Sequence, residues 1–231
     1  SSERWELLYS EGRLASYMAI FKGDVAPEHW FGMRRIPPPG KNRDITCFVF
    51  DKTKNYMGVD VTEGYKKYKR FKLLPSYGGG MYEGLAPSIF IDEGMFAKNN
   101  LGLNSKNYVS AQIYYALNEK KYPVWGLSPC PTPEGGSGEF GVSHIGIKNS
   151  GDGIVSPLAS FLAMTVFPKK AINNLKKMLK LYPEIYGEYG FYGGVDAVDK
   201  NIAKKYRAMD QGLVLLASAN YCKKGISNKL F

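Results

Sequence analysis

Cysteine and histidine are scarce in this 231-residue chain: three Cys (Cys47, Cys130, Cys222) and two His (His29, His144). They are too few and too scattered for a disulfide framework or a zinc site, so no metal is expected. No cofactor is implied either. Long apolar runs are also missing. The longest, Val155–Phe167, is interrupted by Pro157 and is too short to cross a bilayer, so no membrane insertion is expected. Charged residues make up only 23% against 44% hydrophobic, which excludes a disordered chain and allows a sizeable core. Acidic residues are outnumbered, 21 to 31, giving a formal charge of +10. The excess is concentrated in Tyr65–Lys72 and Lys169–Lys180. The first interleaves Tyr65, Tyr68 and Phe71 with lysines, as a nucleic-acid-binding strand would. A solvated lysine-rich face has the same composition and is the preferred reading, so no nucleic-acid partner is expected. In the second run the lysines lie opposite Ile172, Leu175 and Leu179, which is plain amphipathicity.

Aromatics and glycines are abundant: 17 Tyr, 12 Phe, 3 Trp and 26 Gly. They recur as neighbours, as in Tyr77-Gly78, Trp125-Gly126 and Tyr192-Gly193. Flat rings on permissive turns make walls for a sugar cleft, though a rigid aromatic core uses the same residues. Helical spacing is expected over Glu3–Lys22, with Trp5, Leu8 and Leu14 on one face and Gly23 as the stop. Ile45–Val61 alternates as a hairpin around a polar turn at Asp51–Asn55. Further helices are expected at Ser105–Lys121, Ser156–Phe167, Pro168–Leu181 and through Leu213 and Tyr221. Residues Tyr122–Asp152 form a glycine- and proline-rich stretch long enough to suggest a functional loop.

One carboxylate stands apart. Glu83 lies between the triple glycine Gly78–Gly80 and the apolar set Leu85, Ala86, Ile89 and Phe90. Three glycines before a helix imply a sharp turn or a close approach to the backbone. A first-turn glutamate favoured by the helix dipole is the simpler account of the same pattern.

The segments SEGRLASYMAIFKGDVAPEHWF (Ser10–Phe31), GGGMYEGLAPSIF (Gly78–Phe90), YPVWGLSPCPTP (Tyr122–Pro133), GDGIVSPLASFLAMTVFPKKAINNL (Gly151–Leu175), YGFYGGVDAV (Tyr189–Val198) and AMDQGLVLLASANY (Ala208–Tyr221) together resemble the glycoamylase-like family. That group includes endo-β-1,2-glucanases and the transglycosylase domain of cyclic β-1,2-glucan synthases. The resemblance implies a mainly α (α/α)6 toroid of the six-hairpin glycosidase type, of which residues 1–231 are roughly the C-terminal half, with a hairpin and basic segment inserted at 45–72. It also implies a carbohydrate-active enzyme that hydrolyses or transfers glycosidic bonds of a β-glucan, β-1,2-glucan favoured. The expected partners are an oligo- or polysaccharide glucan, together with the missing N-terminal half of the ring or a second copy. A degenerate, glycan-binding half-domain is the alternative. The abrupt start suggests a soluble piece of a longer exported or membrane-associated chain; the sequence assigns no compartment.

Glycoside chemistry generally uses two carboxyl groups, one donating a proton and one activating water or attacking the anomeric carbon. The resemblance makes Glu83 the acid. Relatives carry the second carboxylate after the GFY-like segment, where this chain has Gly193. Asp196 supplies it if Gly193, Gly194 and Val195 are an insertion; Asp210 in MDQG is the other candidate, or simply a helix cap. Trp125 and Tyr192 are candidates for sugar stacking, with Arg13, Gln211 and Tyr82 as further substrate contacts. The segment SPCPTP departs from the family pattern after WG.

Overall fold

The computed structural model describes residues 7–37 and 47–223. The first helix, expected over Glu3–Lys22, begins only at Arg13 because residues 7–12 form a bridge and turn, and Trp5 and Ile45 lie outside the described residues. Eight helices are present among them: α1 (Arg13–Phe21), α2 (His29–Gly32), α3 (Met81–Leu85), α4 (Glu93–Phe96), α5 (Leu101–Tyr114), α6 (Pro157–Ala163), α7 (Pro168–Leu181) and α8 (Ala208–Cys222). Ten strands accompany them: β1 (Phe48–Tyr56), β2 (Val59–Tyr68), β3 (Phe71–Leu73), β4 (Cys130–Pro131), β5 (Ser137–Gly138), β6 (Ile154–Val155), β7 (Tyr186–Gly187), β8 (Gly190–Phe191), β9 (Gly194–Asp196) and β10 (Ile202–Ala203).

The expected mainly α half-toroid is therefore not the architecture. The strands make four antiparallel sheets, ordered β1-β2-β3, β10-β9-β6, β4-β5 and β7-β8. Only α5, α7 and α8 reach 14 residues or more. The reason lies in the glycine- and aromatic-rich stretches, which the sequence presents as loops between helices. Their backbone groups pair across the chain instead, as in Ile154 with Asp196 and Ile202 with Val195. Extended segments leaving a helix satisfy their N–H and C=O groups most readily in such ladders.

A hairpin forms from β1 and β2, but it turns elsewhere than expected. Asp51–Asn55 belongs to β1, with an irregularity between Phe50 and Thr53, and the reversal falls at Met57-Gly58 between the paired residues Tyr56 and Val59. Both turn residues have positive φ, 51° and 83°, the geometry that matches the twist of two-residue hairpins. The basic stretch forms the end of β2 and all of β3. Lys66 is buried there and donates to the carbonyls of Ser143 (3.2 Å) and Gly146 (2.5 Å), while Lys69 pairs with Glu119 at 3.1 Å.

Two prolines frame α7. Pro168 takes its first turn, where a missing N–H costs nothing, and Pro183 follows its end. Ala171, Leu175 and Met178 face inward and Lys169, Lys170, Lys176, Lys177 and Lys180 face water. Leu179, expected inside, is 38% exposed because the buried stripe turns toward Met178. Helix α6 is buried along its whole length and packs against α3, α7 and α8. Leu85, Ile89, Tyr108, Val109, Leu127, Leu158 and Leu162 join these elements in one core. No helix among the described residues is long and apolar enough to cross a membrane.

Candidate active site

Glu83 sits in the first turn of α3 and is 5% exposed. Its carboxylate is held from several sides. Gly78 N–H donates to both oxygens at 2.9 Å, Gly80 N–H donates to Oε2 at 3.1 Å, and Ser76 Oγ donates to Oε2 at 2.6 Å. Ser76 in turn accepts from Gly79 N–H at 2.9 Å and lies 2.7 Å from the Tyr108 hydroxyl, which donates to Gly80 O at 2.9 Å. From α5, Gln112 reaches across: its amide N–H2 donates to Gly79 O (2.7 Å) and Leu127 O (2.9 Å), and its oxygen accepts from Leu127 N–H (2.9 Å).

The triple glycine is explained by backbone, not by a ligand. Gly79 has φ +78°, and a β-carbon there would stand 2.1 Å from Val142 O. Gly141 and Gly146 press on the same loop, each with a virtual β-carbon within 2.7 Å of Gly78 or Gly79 backbone. Val142 N–H donates to Gly79 O at 3.1 Å and Ile147 N–H to Tyr77 O at 2.8 Å. The long stretch 122–152 is thus the strap that fixes the Glu83 loop.

A second carboxyl group, Glu11, is within electrostatic reach of the first. It precedes α1 in the turn Ser10–Gly12, half-buried, with Oε2 enclosed and without a hydrogen-bond partner. Burial raises its proton affinity above that of an ordinary glutamate, and the charges of Glu83 and Glu139 raise it further, against a lowering by its own backbone and Arg13. Tyr82, next to Glu83 in sequence, feels the charge of Glu11. Burial raises its hydroxyl, then the charge of Glu11, with Arg207 and Asp210 acting in opposite senses. Those last two form a bidentate pair, Arg207 Nε to Asp210 Oδ2 and Nη2 to Oδ1, both 2.9 Å, with Nη2 also on Pro129 O at 2.6 Å. Asp210 is 4% exposed, and burial holds it above the usual aspartate range despite Arg207. Glu11 thus feels the charges of Glu83 and Glu139, and Tyr82 those of Glu11, Arg207 and Asp210.

The other expected site residues are placed as follows. Asp196 ends β9, and its Oδ1 accepts from Val198 N–H and Asp199 N–H, each 2.8 Å, so it closes a turn. Its charge acts on Tyr182 and Tyr122 rather than on the Glu83 group. Trp125 is 4% exposed in the core, its backbone clasped by Asn174. Arg13 is fully buried: it binds both oxygens of Glu93 (2.7 and 2.9 Å), Gly84 O (2.7 Å) and Ser10 O (2.9 Å). Tyr192 stacks on Tyr206 at 4.7 Å, and Gln211 Nε2 donates to Phe191 O at 3.0 Å, which ties the β7–β8 hairpin to α8.

A sequence profile of the family described as "Putative glucoamylase" matches residues 51–231. The chain belongs to this family. Among curated proteins, the cyclic beta-(1,2)-glucan synthase NdvB of Rhizobium meliloti is 27% identical over 240 residues, covering 96% of this chain and 7% of the synthase. Among solved structures, this glucoamylase-family chain resembles one from Bacteroides uniformis, described as a putative glucoamylase, with 19% identity and a TM-score of 0.58. It also resembles the endo-beta-1,2-glucanase of Chitinophaga pinensis in complex with sophorotriose and glucose, with 20% identity and a TM-score of 0.55. Each covers 78% of this chain, which spans 42% of each of those structures. At these identities the structures establish a shared fold.

Glu11 was absent from the residues expected from sequence. It stands inside SEGRLAS, one of the family-like segments, but a helix running through Glu3–Lys22 makes it one more charge on a helix face. A charge that acts on it, Glu83, is 72 positions later, so only the fold couples the two.

Proposed function

We propose that this chain cleaves or transfers glycosidic bonds of a β-glucan, with a β-1,2-linked chain as the preferred substrate, using Glu11 and Glu83 as its carboxyl pair. The observation that carries the reading is the contrast between the two groups: Glu11 has an enclosed, unpartnered oxygen and a raised proton affinity, whereas Glu83 accepts hydrogen bonds on both oxygens. A carboxyl that favours its proton and a carboxylate held by hydrogen bonds can divide the labour of acid and partner. In this reading Glu11 protonates the departing glycosidic oxygen. Glu83, expected from the sequence as the acid, is the partner that faces the anomeric carbon, directly or through water. Asp210 and Arg207 form the polar wall beyond Tyr82. The similarity to a glucan synthase and to a glucanase crystallised with sophorotriose supports the substrate class.

The test is incubation of linear β-1,2-glucan with the wild-type chain and with Glu11→Gln, following new reducing ends and altered chain lengths. Loss of a general acid is expected to cost about 10²–10⁴ in rate. Glu83→Gln is expected to be as severe, but it turns N–H2 toward Gly78 and Gly80 N–H, so its melting curve must be recorded alongside. Wild-type rates from Glu11→Gln would overturn the assignment. A second reading, glycan binding without turnover, is favoured by Asp196 being consumed in its turn. Binding of the glucan with no change in chain length would select it.

A further inference from the structure

A cavity lined by aromatic and polar side chains lies apart from the residues of the candidate active site. It has a volume of about 530 Å³ and opens between α1–α2, the β1-β2-β3 sheet and the start of α5. This size falls within the roughly 300–1,000 Å³ range of small-ligand pockets. None of Glu11, Tyr82, Glu83 or Asp210 lines it.

Paired rings, one pair tilted and one stacked, line it together with Leu73, Leu74 and Leu101. Tyr17 and Trp30 lie 4.6 Å apart at 33°, and Phe31 and Tyr56 lie 5.1 Å apart at 7°. Each pair is braced by an ionisable group. Tyr17 donates to Glu93 at 3.2 Å and Tyr56 to Glu63 at 2.8 Å. Opposite stand Tyr65, with Lys72 Nζ 5.2 Å over its ring, and Asn107, whose amide nitrogen donates to Lys72 O at 2.8 Å. The Arg35 guanidinium completes the lining; burial lowers its proton affinity and Glu63 only partly restores it.

We propose that this cavity binds a short run of glucose units, apart from the carboxyl pair. Wide ring faces suit the C–H face of a pyranose, and a rim of carboxylate, guanidinium, ammonium and amide groups suits its hydroxyls. A purely apolar ligand would leave Glu63 and Arg35 desolvated without new partners, which is costly. The glucan identity of the ligand rests on the functional reading above; the site itself rests on the cavity. Its role is to hold one part of a chain while another part lies at Glu11 and Glu83.

The test is calorimetric titration of sophorotriose into the Glu11→Gln chain, which binds without turnover, and then into the same chain carrying Trp30→Ala or Tyr65→Ala. Binding that weakens about tenfold or more with either aromatic variant is expected, as for truncation of a ring at the centre of a contact. Tyr65 sits on a strand and serves as the control should Trp30→Ala fail to fold. Turnover of short glucans by Trp30→Ala and Tyr65→Ala alone should stay near wild type, while turnover of long chains falls. Sophorotriose binding unchanged by both variants, or no binding at all, overturns the proposal. Should the wild-type chain prove inactive while Tyr65→Ala still abolishes sophorotriose binding, the catalytic reading fails and this site stands.

Discussion

Gly193 lies against the ring of Pro131: a β-carbon at residue 193 would stand 2.5 Å from Pro131 Cδ and 2.6 Å from Cγ. The glycine after the GFY-like segment and Pro131 of SPCPTP, both in places expected to depart from the family pattern, are thus in contact. The ring fills the room a side chain would need. Gly193→Asp is expected to destabilise the fold by about 1–3 kcal/mol through overpacking. Adding Pro131→Ala should recover part of that loss. Urea unfolding of both singles and the double measures it, and strictly additive costs would show that the two positions are independent.

The raised proton affinity of Glu11 predicts that stability, and rate if Glu11 is the acid, depend on pH. A general acid works only while protonated, so activity should fall as pH rises through the Glu11 pKa, which lies above the ordinary glutamate value. Glu139 contributes to that rise, so Glu139→Gln should move the alkaline limb of the rate profile to lower pH. An unmoved limb would mean that another group sets it.

The same shift sets the sign of a stability effect. A carboxyl whose folded pKa is raised binds its proton more tightly in the native state. The native state therefore loses stability as pH climbs from the unfolded toward the folded value, and the full penalty remains above both. Glu11→Gln should accordingly melt higher than wild type at neutral pH, with the gap closing below about pH 4, near the unfolded carboxyl value. A lower melting point at neutral pH would contradict the burial argument.

Arg13 and Glu93 are 0% and 1% exposed and share two hydrogen bonds, with Ser88 and Tyr17 also on Glu93. Removing one partner strands a buried charge. Arg13→Met should cost about 3–5 kcal/mol in chemical denaturation, and Arg13→Met with Glu93→Leu should cost less than either single change. A loss near zero would mean that the site relaxes enough to admit water.

Gly79 combines φ +78° with a backbone contact on Val142 O, so no side chain fits. Gly79→Ala should destabilise by more than about 1 kcal/mol. It should also slow turnover, because Gly78 and Gly80 N–H hold Glu83 through that loop. Wild-type kinetics in a folded Gly79→Ala chain would disconnect the loop from the chemistry.

What the sequence makes legible is local. Pro168 and Pro183 frame α7 because proline acts on its own backbone, and the apolar spacing through Leu213 marks α8 in the same way. Pairings between distant segments are another matter. Nothing near Val195 announces that it will ladder with Val155 and Ile202, so residues expected as loops between helices become sheet, and the ring-half expectation fails with them. The hairpin is found but its turn misplaced, since Asp51–Asn55 is polar and Met57-Gly58 looks ordinary until the chain reverses there. Side-chain roles follow the same division. Glu83 stands out from its own neighbours, whereas Arg13 and Trp125 look available for sugar and are buried by elements far along the chain. Glu11 is the converse, unremarkable in sequence and brought by the fold within reach of the charge of Glu83.

The close contact of Gly78–Gly80 with Gly141 and Gly146 has a consequence for how the site assembles. The N–H groups that grip Glu83 take their final direction only when a segment some sixty residues later has closed over them. The start of α3 is in that sense a long-range structure, despite the short sequence span of its own hydrogen bonds. The strap and the carboxylate form one mechanical part, so whatever loosens residues 141–147 releases Glu83 as well.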